Sequence, residues 1–162
     1  MYKAGKKIKK KRTIKISTIT VLTFLFFLSC SKVISSYNTP INCAYRVTRD
    51  FSVRAKHFGI DLATQRNCPV KSVWEGRVIF AGYLKGYGLT VVIRHANLAT
   101  LYAHLSKIDV KAGQKILANQ RIGAVGESGI ATGPHLHFEV LIPSTKAWRA
   151  WKRVNPRNYV RL

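Results

Sequence analysis

Four of the chain's five histidines stand in short patterns from which chemistry could be built. KHFGIDLAT sets His57 and Asp61 four residues apart, LYAHLS carries His104, and GPHLHFEV carries His135 and His137 on either side of Leu136. Successive side chains of a strand point to opposite faces, so His135 and His137 share one surface while Leu136 and Phe138 turn to the other. A spacing of four brings His57 and Asp61 to one side of a helix or of a strand, so their convergence does not depend on which forms. An imidazole and a carboxylate joined by a second imidazole from far along the chain is a donor set that holds a catalytic Zn2+ with one position open for water. His104 is expected to share a strand face with Tyr102, with Leu101, Ala103 and Leu105 packing behind. Each pattern alone more often marks a surface or hydrogen-bonded histidine than a ligand; together they make one candidate site.

The segments around these residues read as an all-β domain. Val78–Ala81, Leu89–Arg94 and Thr100–Leu105 are short β-branched or aromatic runs separated by turn residues, which predicts antiparallel strands joined by hairpins. Gly113, Gly123, Gly126, Gly129 and Gly133 interrupt the next stretch, and a helix through it would bury several glycines at about 1 kcal/mol each relative to alanine. The sheet is therefore expected to continue. The tail, STKAWRAWKRVNPRNYVRL, has room for one helical turn before Pro156. His95, ending VVIRH, reads as a structural residue at a hairpin end. Glu139 shares the face of His135 and His137, where it either orients a ligand or sits as a solvated edge carboxylate.

The 162 residues hold 28 Lys and Arg against 6 Asp and Glu. Eight of the basic residues precede the apolar run Ile16–Ser29, the pattern of an export signal, and the run is shorter than the roughly 20 residues a membrane-spanning helix needs. The remainder is still strongly basic, at net +14, and suits an anionic wall or membrane surface. FLSC ends the apolar run at Cys30, either as a lipoprotein acylation site or beside an ordinary cleavage point. Residues 1–30 are thus expected to be a signal, 31–42 a short polar tether, and 43–162 the functional domain in the periplasm or cell envelope. If Cys30 is lipidated, Cys43 and Cys68 remain as an even pair in an oxidising compartment, and a disulfide between them is predicted. Export and the lack of a nucleic-acid-reading motif argue against a nucleic-acid partner.

HFGIDLA, PVKSVWEGRVIFAG, YGLTVVIRHANLATLYAHLS, QRIGAVGESGIATGPHLHFEV and VNPRNYV, in that order from about Phe51 to Val160, resemble the lysostaphin-type (LytM-like) zinc endopeptidases that remodel bacterial cell walls. The resemblance implies an antiparallel β-sheet domain with an open groove, of the duplicated hybrid motif kind. It implies one Zn2+ held by His57, Asp61 and His137, with His104 and His135 as catalytic residues around a zinc-activated water, and a peptidoglycan peptide as substrate. A monomer is expected. The alternative is a non-catalytic wall-binding protein or amidase activator with the same fold; relatives of that kind typically lack ligand residues, and this chain keeps them. Ser52 in FSVR and Cys68 before PV depart from the family pattern on loops beside the groove, which bears on peptide preference.

Overall fold

Alternating apolar positions in the middle and C-terminal parts of the chain build one antiparallel sheet. A computed structural model of the protein describes residues 39–144 and 147–162; the expected signal, Cys30 and the tether up to residue 38 lie outside the described residues. The strands are β1 (Arg46–Arg49), β2 (Ile60–Ala63), β3 (Pro69–Lys71), β4 (Gly76–Leu84), β5 (Gly88–Arg94), β6 (Ala99–Ile108), β7 (Lys115–Ile116), β8 (Arg121–Val125), β9 (His135–Ile142) and β10 (Lys152–Val154). They pair in the order β1-β2-β9-β6-β5-β4-β7, with β10 also on β9 and β8 bridging β3 and β6. The three hairpin runs expected from sequence lie within β4, β5 and β6. The tail forms two short 3-10 turns, Trp148–Ala150 and Pro156–Asn158, with β10 between them.

The sheet buries both faces. Ile60, Leu62, Tyr102, Leu136 and Phe138 lie in the larger core, and Val92, Leu101, Ala103, Leu141 and Trp151 form a smaller cluster. Register explains the division: Leu62 pairs with Leu136, and Ile60 and Tyr102 pair with Phe138 from either side. Full burial of Leu136 and Phe138 contributes roughly 1.5–3 kcal/mol each and fixes the register that carries His135 and His137 on the opposite face. The predicted Cys43–Cys68 disulfide is present and ties the segment before β1 to the start of β3. His95 is structural, as expected: its Nδ1 donates to the Glu75 carbonyl at 2.6 Å and its Nε2 meets Thr100 Oγ1 at 2.9 Å.

One expectation about β6 is corrected. Simple alternation would put His104 on the face of Tyr102, away from His137, because Ala103 is the cross-strand partner of His137. Instead β6 carries one extra residue relative to β5 between the Tyr102–Val91 and Leu105–Leu89 pairs. His104 takes up the bulge with a left-handed φ of 57°. Leu101 and Ala103 pack in one cluster and Tyr102 and Leu105 in the other, so the residues expected to pack together behind His104 are split between two faces. A non-glycine residue in this region costs of order 1–3 kcal/mol. Its effect is to turn His104 over to the side of His135 and His137.

Candidate metal centre and active site

Two paired strands and the segment that leads into the first of them bring the donors together. Asp61 on β2 is the cross-strand partner of His137 on β9, and His57 is held just before β2 by paired backbone hydrogen bonds with Ser52. Gly59 permits the closeness: a Cβ there would stand 2.6 Å from His137 Cε1 and 2.7 Å from the Phe138 carbonyl oxygen. His57 Nε2 lies 3.0 Å and His137 Nδ1 2.7 Å from Asp61 Oδ1. One donor atom from each of the three residues falls within 4.8 Å of the others. His104 and His135 stand over this group, with ring centroids 4.7 Å apart and His104 5.9 Å from His137. All five site residues expected from sequence therefore occupy one cleft, of about 350 Å³. A larger cavity of about 700 Å³ lies around Trp74, His95 and Ile116, but both nitrogens of its histidine are already hydrogen-bonded.

Hydrogen-bond partners decide where each imidazole keeps its proton. His57 Nδ1 sits 2.8 Å from the Asp50 carbonyl, which can only accept, so Nδ1 donates and Nε2 presents a lone pair. That buried lone pair has no hydrogen-bond partner and faces a carboxylate oxygen. Two acceptors confronting one another at 3.0 Å call for a cation between them. Likewise His104 Nδ1 donates to the Ser128 carbonyl at 2.7 Å and His135 Nδ1 to the Gly133 carbonyl at 2.9 Å, so that in each neutral ring Nε2 is the acceptor. The nitrogen-and-oxygen donor set, one carboxylate and two imidazoles, suits zinc.

Glu139 is fully buried and is no edge carboxylate. Its Oε1 accepts from His137 Nε2 at 3.1 Å and from the Tyr87 hydroxyl at 2.8 Å, and its Oε2 accepts from Arg153 Nε at 3.2 Å. With Nε2–H held by Glu139, neutral His137 keeps its lone pair on Nδ1, the atom facing Asp61. Tyr87 and Arg153 were not foreseen from sequence. Arg153 had no motif to betray it, and Tyr87 only its place in the GYG turn.

Charge follows from these contacts. Burial pushes the Asp61 carboxyl up, but the hydrogen bond from His137 and the charges of His137, His57 and His135 outweigh it and hold it at about 2. Burial pushes His137 down, yet bonding to Asp61 and Glu139 raises it to about 9 in the metal-free protein. His104 is shifted below its ordinary value, chiefly by burial and further by the neighbouring imidazoles, so it is neutral at neutral pH. Burial and the Glu139 carboxylate raise the Tyr87 phenol, which stays a donor.

Residues 55–156 match the peptidase family M23 model. The peptidoglycan DD-endopeptidase ShyA of Vibrio cholerae is 39% identical over 113 residues, which are 64% of this chain and 26% of that protein. The DD-carboxypeptidase/endopeptidase Mpg of Neisseria meningitidis is 46% identical over 87 residues, 53% of this chain and 20% of that one. The chain thus spans about a quarter or less of the length of these curated relatives. Among solved structures, a point mutant of the catalytic domain of the prophage-encoded M23 protein EnpA from Enterococcus faecalis superposes with TM-score 0.63 at 31% identity, covering 77% of this chain and 98% of that one. Lysostaphin from Staphylococcus simulans does so with TM-score 0.64 at 27% identity, covering 75% and 53%.

Proposed function

Because the chain belongs to peptidase family M23, we propose that it is an exported zinc-dependent endopeptidase that hydrolyses peptide stems or cross-links of peptidoglycan. The observation that carries the reading is the buried, unpartnered His57 Nε2 turned toward Asp61 Oδ1, beside His137 Nδ1. His57, Asp61 and His137 would hold the ion. Zinc bound there supplies Lewis acidity and acidifies water towards neutral pH.

The protein's own groups do the rest. Glu139 fixes the orientation and tautomer of His137 and is itself kept in place by Tyr87 and Arg153. Neutral His104 and, in its neutral form, His135 each present an Nε2 lone pair to the cleft, because backbone carbonyls hold their Nδ1 protons. Either can take a proton at Nε2 and, once charged, donate it to an oxyanion developing on the peptide carbonyl. The basic surface and the N-terminal leader support action at an anionic wall. The test is mass spectrometry of soluble products released from purified peptidoglycan by the zinc-loaded protein beside His57→Ala. Peptide-bond cleavage products from the wild type alone are expected; identical profiles would refute the hydrolase and favour a wall-binding role.

A further inference from the structure

A local irregularity in β1 places Arg49 beside the candidate metal centre. Arg46 pairs with Ala63 and Val47 with Leu62, so an unbroken register would bring Thr48 opposite Asp61. A bulge intervenes and Arg49 takes that position. Cross-strand partners project from one face at Cα separations of about 4.5–5.5 Å. Since Asp61 pairs on its other side with His137, Arg49, Asp61 and His137 form a row across three strands.

The cleft has a second arm of about 370 Å³, and Arg49, Asp61, Thr132 and His135 line both arms. Arg49 is exposed there, and Lys56 adds a second cation to the first arm. Among the described residues no acidic side chain forms an ion pair with either. Asp50 binds Arg157, Glu127 binds Arg66, Asp109 binds Lys107 and Arg121, and Glu139 binds Arg153. Asp61 is taken by the histidines, and Glu75 lines the distant cavity around Trp74. A guanidinium with no internal carboxylate, in a cleft read as a peptide site, is suited to bind a carboxylate of the ligand through two parallel N–H···O bonds.

We propose that Arg49 anchors a free carboxylate of the bound peptide in the second arm, so that the site selects stem peptides with an unamidated carboxyl group near the scissile bond. The inference rests on the reading of this cleft as a peptidoglycan-peptide site.

The experiment uses two fluorescently labelled cross-linked stem peptides that differ only in carboxylate against carboxamide, with binding to the full-length protein followed by anisotropy at low salt. Wild type is expected to bind the acid about tenfold more tightly, as for one partly exposed charge-assisted contact. Arg49→Ala should bring the ratio to about one, Arg49→Lys should leave an intermediate ratio because it keeps a point charge, and Arg121→Ala, away from the cleft, should keep the wild-type ratio. Equal binding of acid and amide by wild type, or a ratio that survives Arg49→Ala, overturns the proposal. Turnover of the same peptides is scored separately: acid preference without cleavage would remove the hydrolase and leave the carboxylate site standing.

Discussion

Replacing Glu139 by glutamine removes one charge and almost no volume, and so isolates what the buried carboxylate does. Three donors now converge on its two oxygens: His137 Nε2 and the Tyr87 hydroxyl on Oε1, and Arg153 Nε on Oε2. In the variant the amide oxygen can keep the first two, but the acceptor is then uncharged and each bond is about 1 kcal/mol weaker. The amide nitrogen then faces Arg153, donor to donor. Arg153 retains about a fifth of its side-chain exposure and can turn to water, so this third loss is about 1 kcal/mol rather than the full penalty of a buried orphan. Relief of burying an anion returns part of the sum, leaving a net destabilisation of about 2 kcal/mol. Urea titration of the chelator-treated protein should show the midpoint lowered by about 1 M at an m-value near 2 kcal/mol/M. Competition with a chromogenic chelator should show zinc affinity reduced about 10- to 100-fold, because no anion holds the His137 tautomer. A midpoint within about 0.3 M of wild type together with zinc affinity within about twofold would refute the argument that Glu139 sets His137.

The metal-free protein should be most stable between about pH 4 and 6.5, read by denaturant midpoint against pH. His137, raised to about 9, contributes fully below its ordinary 6.5 and loses that contribution as pH climbs from there to 9. Asp61, held at about 2, contributes fully above its ordinary 3.8 and loses it as pH falls towards 2. The two describe one ion pair and are not summed; its loss at either end amounts to a few kcal/mol, on the order of 3. Zinc binding at pH 7 should release about one proton, measured calorimetrically in buffers of different ionisation enthalpy. Gly59→Ala should push His137 from its place and lower zinc affinity by at least about tenfold, with about 1–3 kcal/mol of destabilisation from overpacking; wild-type zinc binding would show that the ring has room to move. Reducing the Cys43–Cys68 bridge, which closes a loop of separation 25, should cost about 3.5 kcal/mol, seen as a lower unfolding midpoint under reductant.

How far the site could be read in advance depended on whether its residues obey alternation. His135 and His137 do: Leu136 and Phe138 are fully buried opposite them, and the two-residue period fixes both faces at once. His57 and Asp61 converge for the simpler reason that four residues return a chain to the same side. Glu139 was legible as to face and as a neighbour of His137, while its partners Tyr87 and Arg153 were not, because Tyr87 comes from the turn before β5 and Arg153 from β10, which pairs with β9 only after the Trp148–Ala150 turn reverses the chain. The β1 strand RVTR carries too few apolar residues to announce itself, and its pairing with β2 is settled by the sheet already built next to it.

The two residues that broke the period are the two that the cleft uses most distinctively. His104 reaches the site only because β6 gains a residue and accepts a left-handed backbone, and Arg49 replaces Thr48 opposite Asp61 only because β1 gains one as well. Neither bulge leaves a sequence mark such as a glycine at the irregular position; the strain at His104 is sustained by ties on both sides of it. Its backbone N–H donates to the Tyr87 carbonyl at 2.9 Å and its ring to the Ser128 carbonyl at 2.7 Å, while Gly88 and Gly129 let those two loops approach more closely than a Cβ at either would allow. An imidazole that must stand beside His135 while Tyr102 and Leu105 stay in the core cannot be supplied by a regular strand. The bulge answers that conflict between packing and chemistry at a cost of about 1–3 kcal/mol, comparable to burying one core side chain.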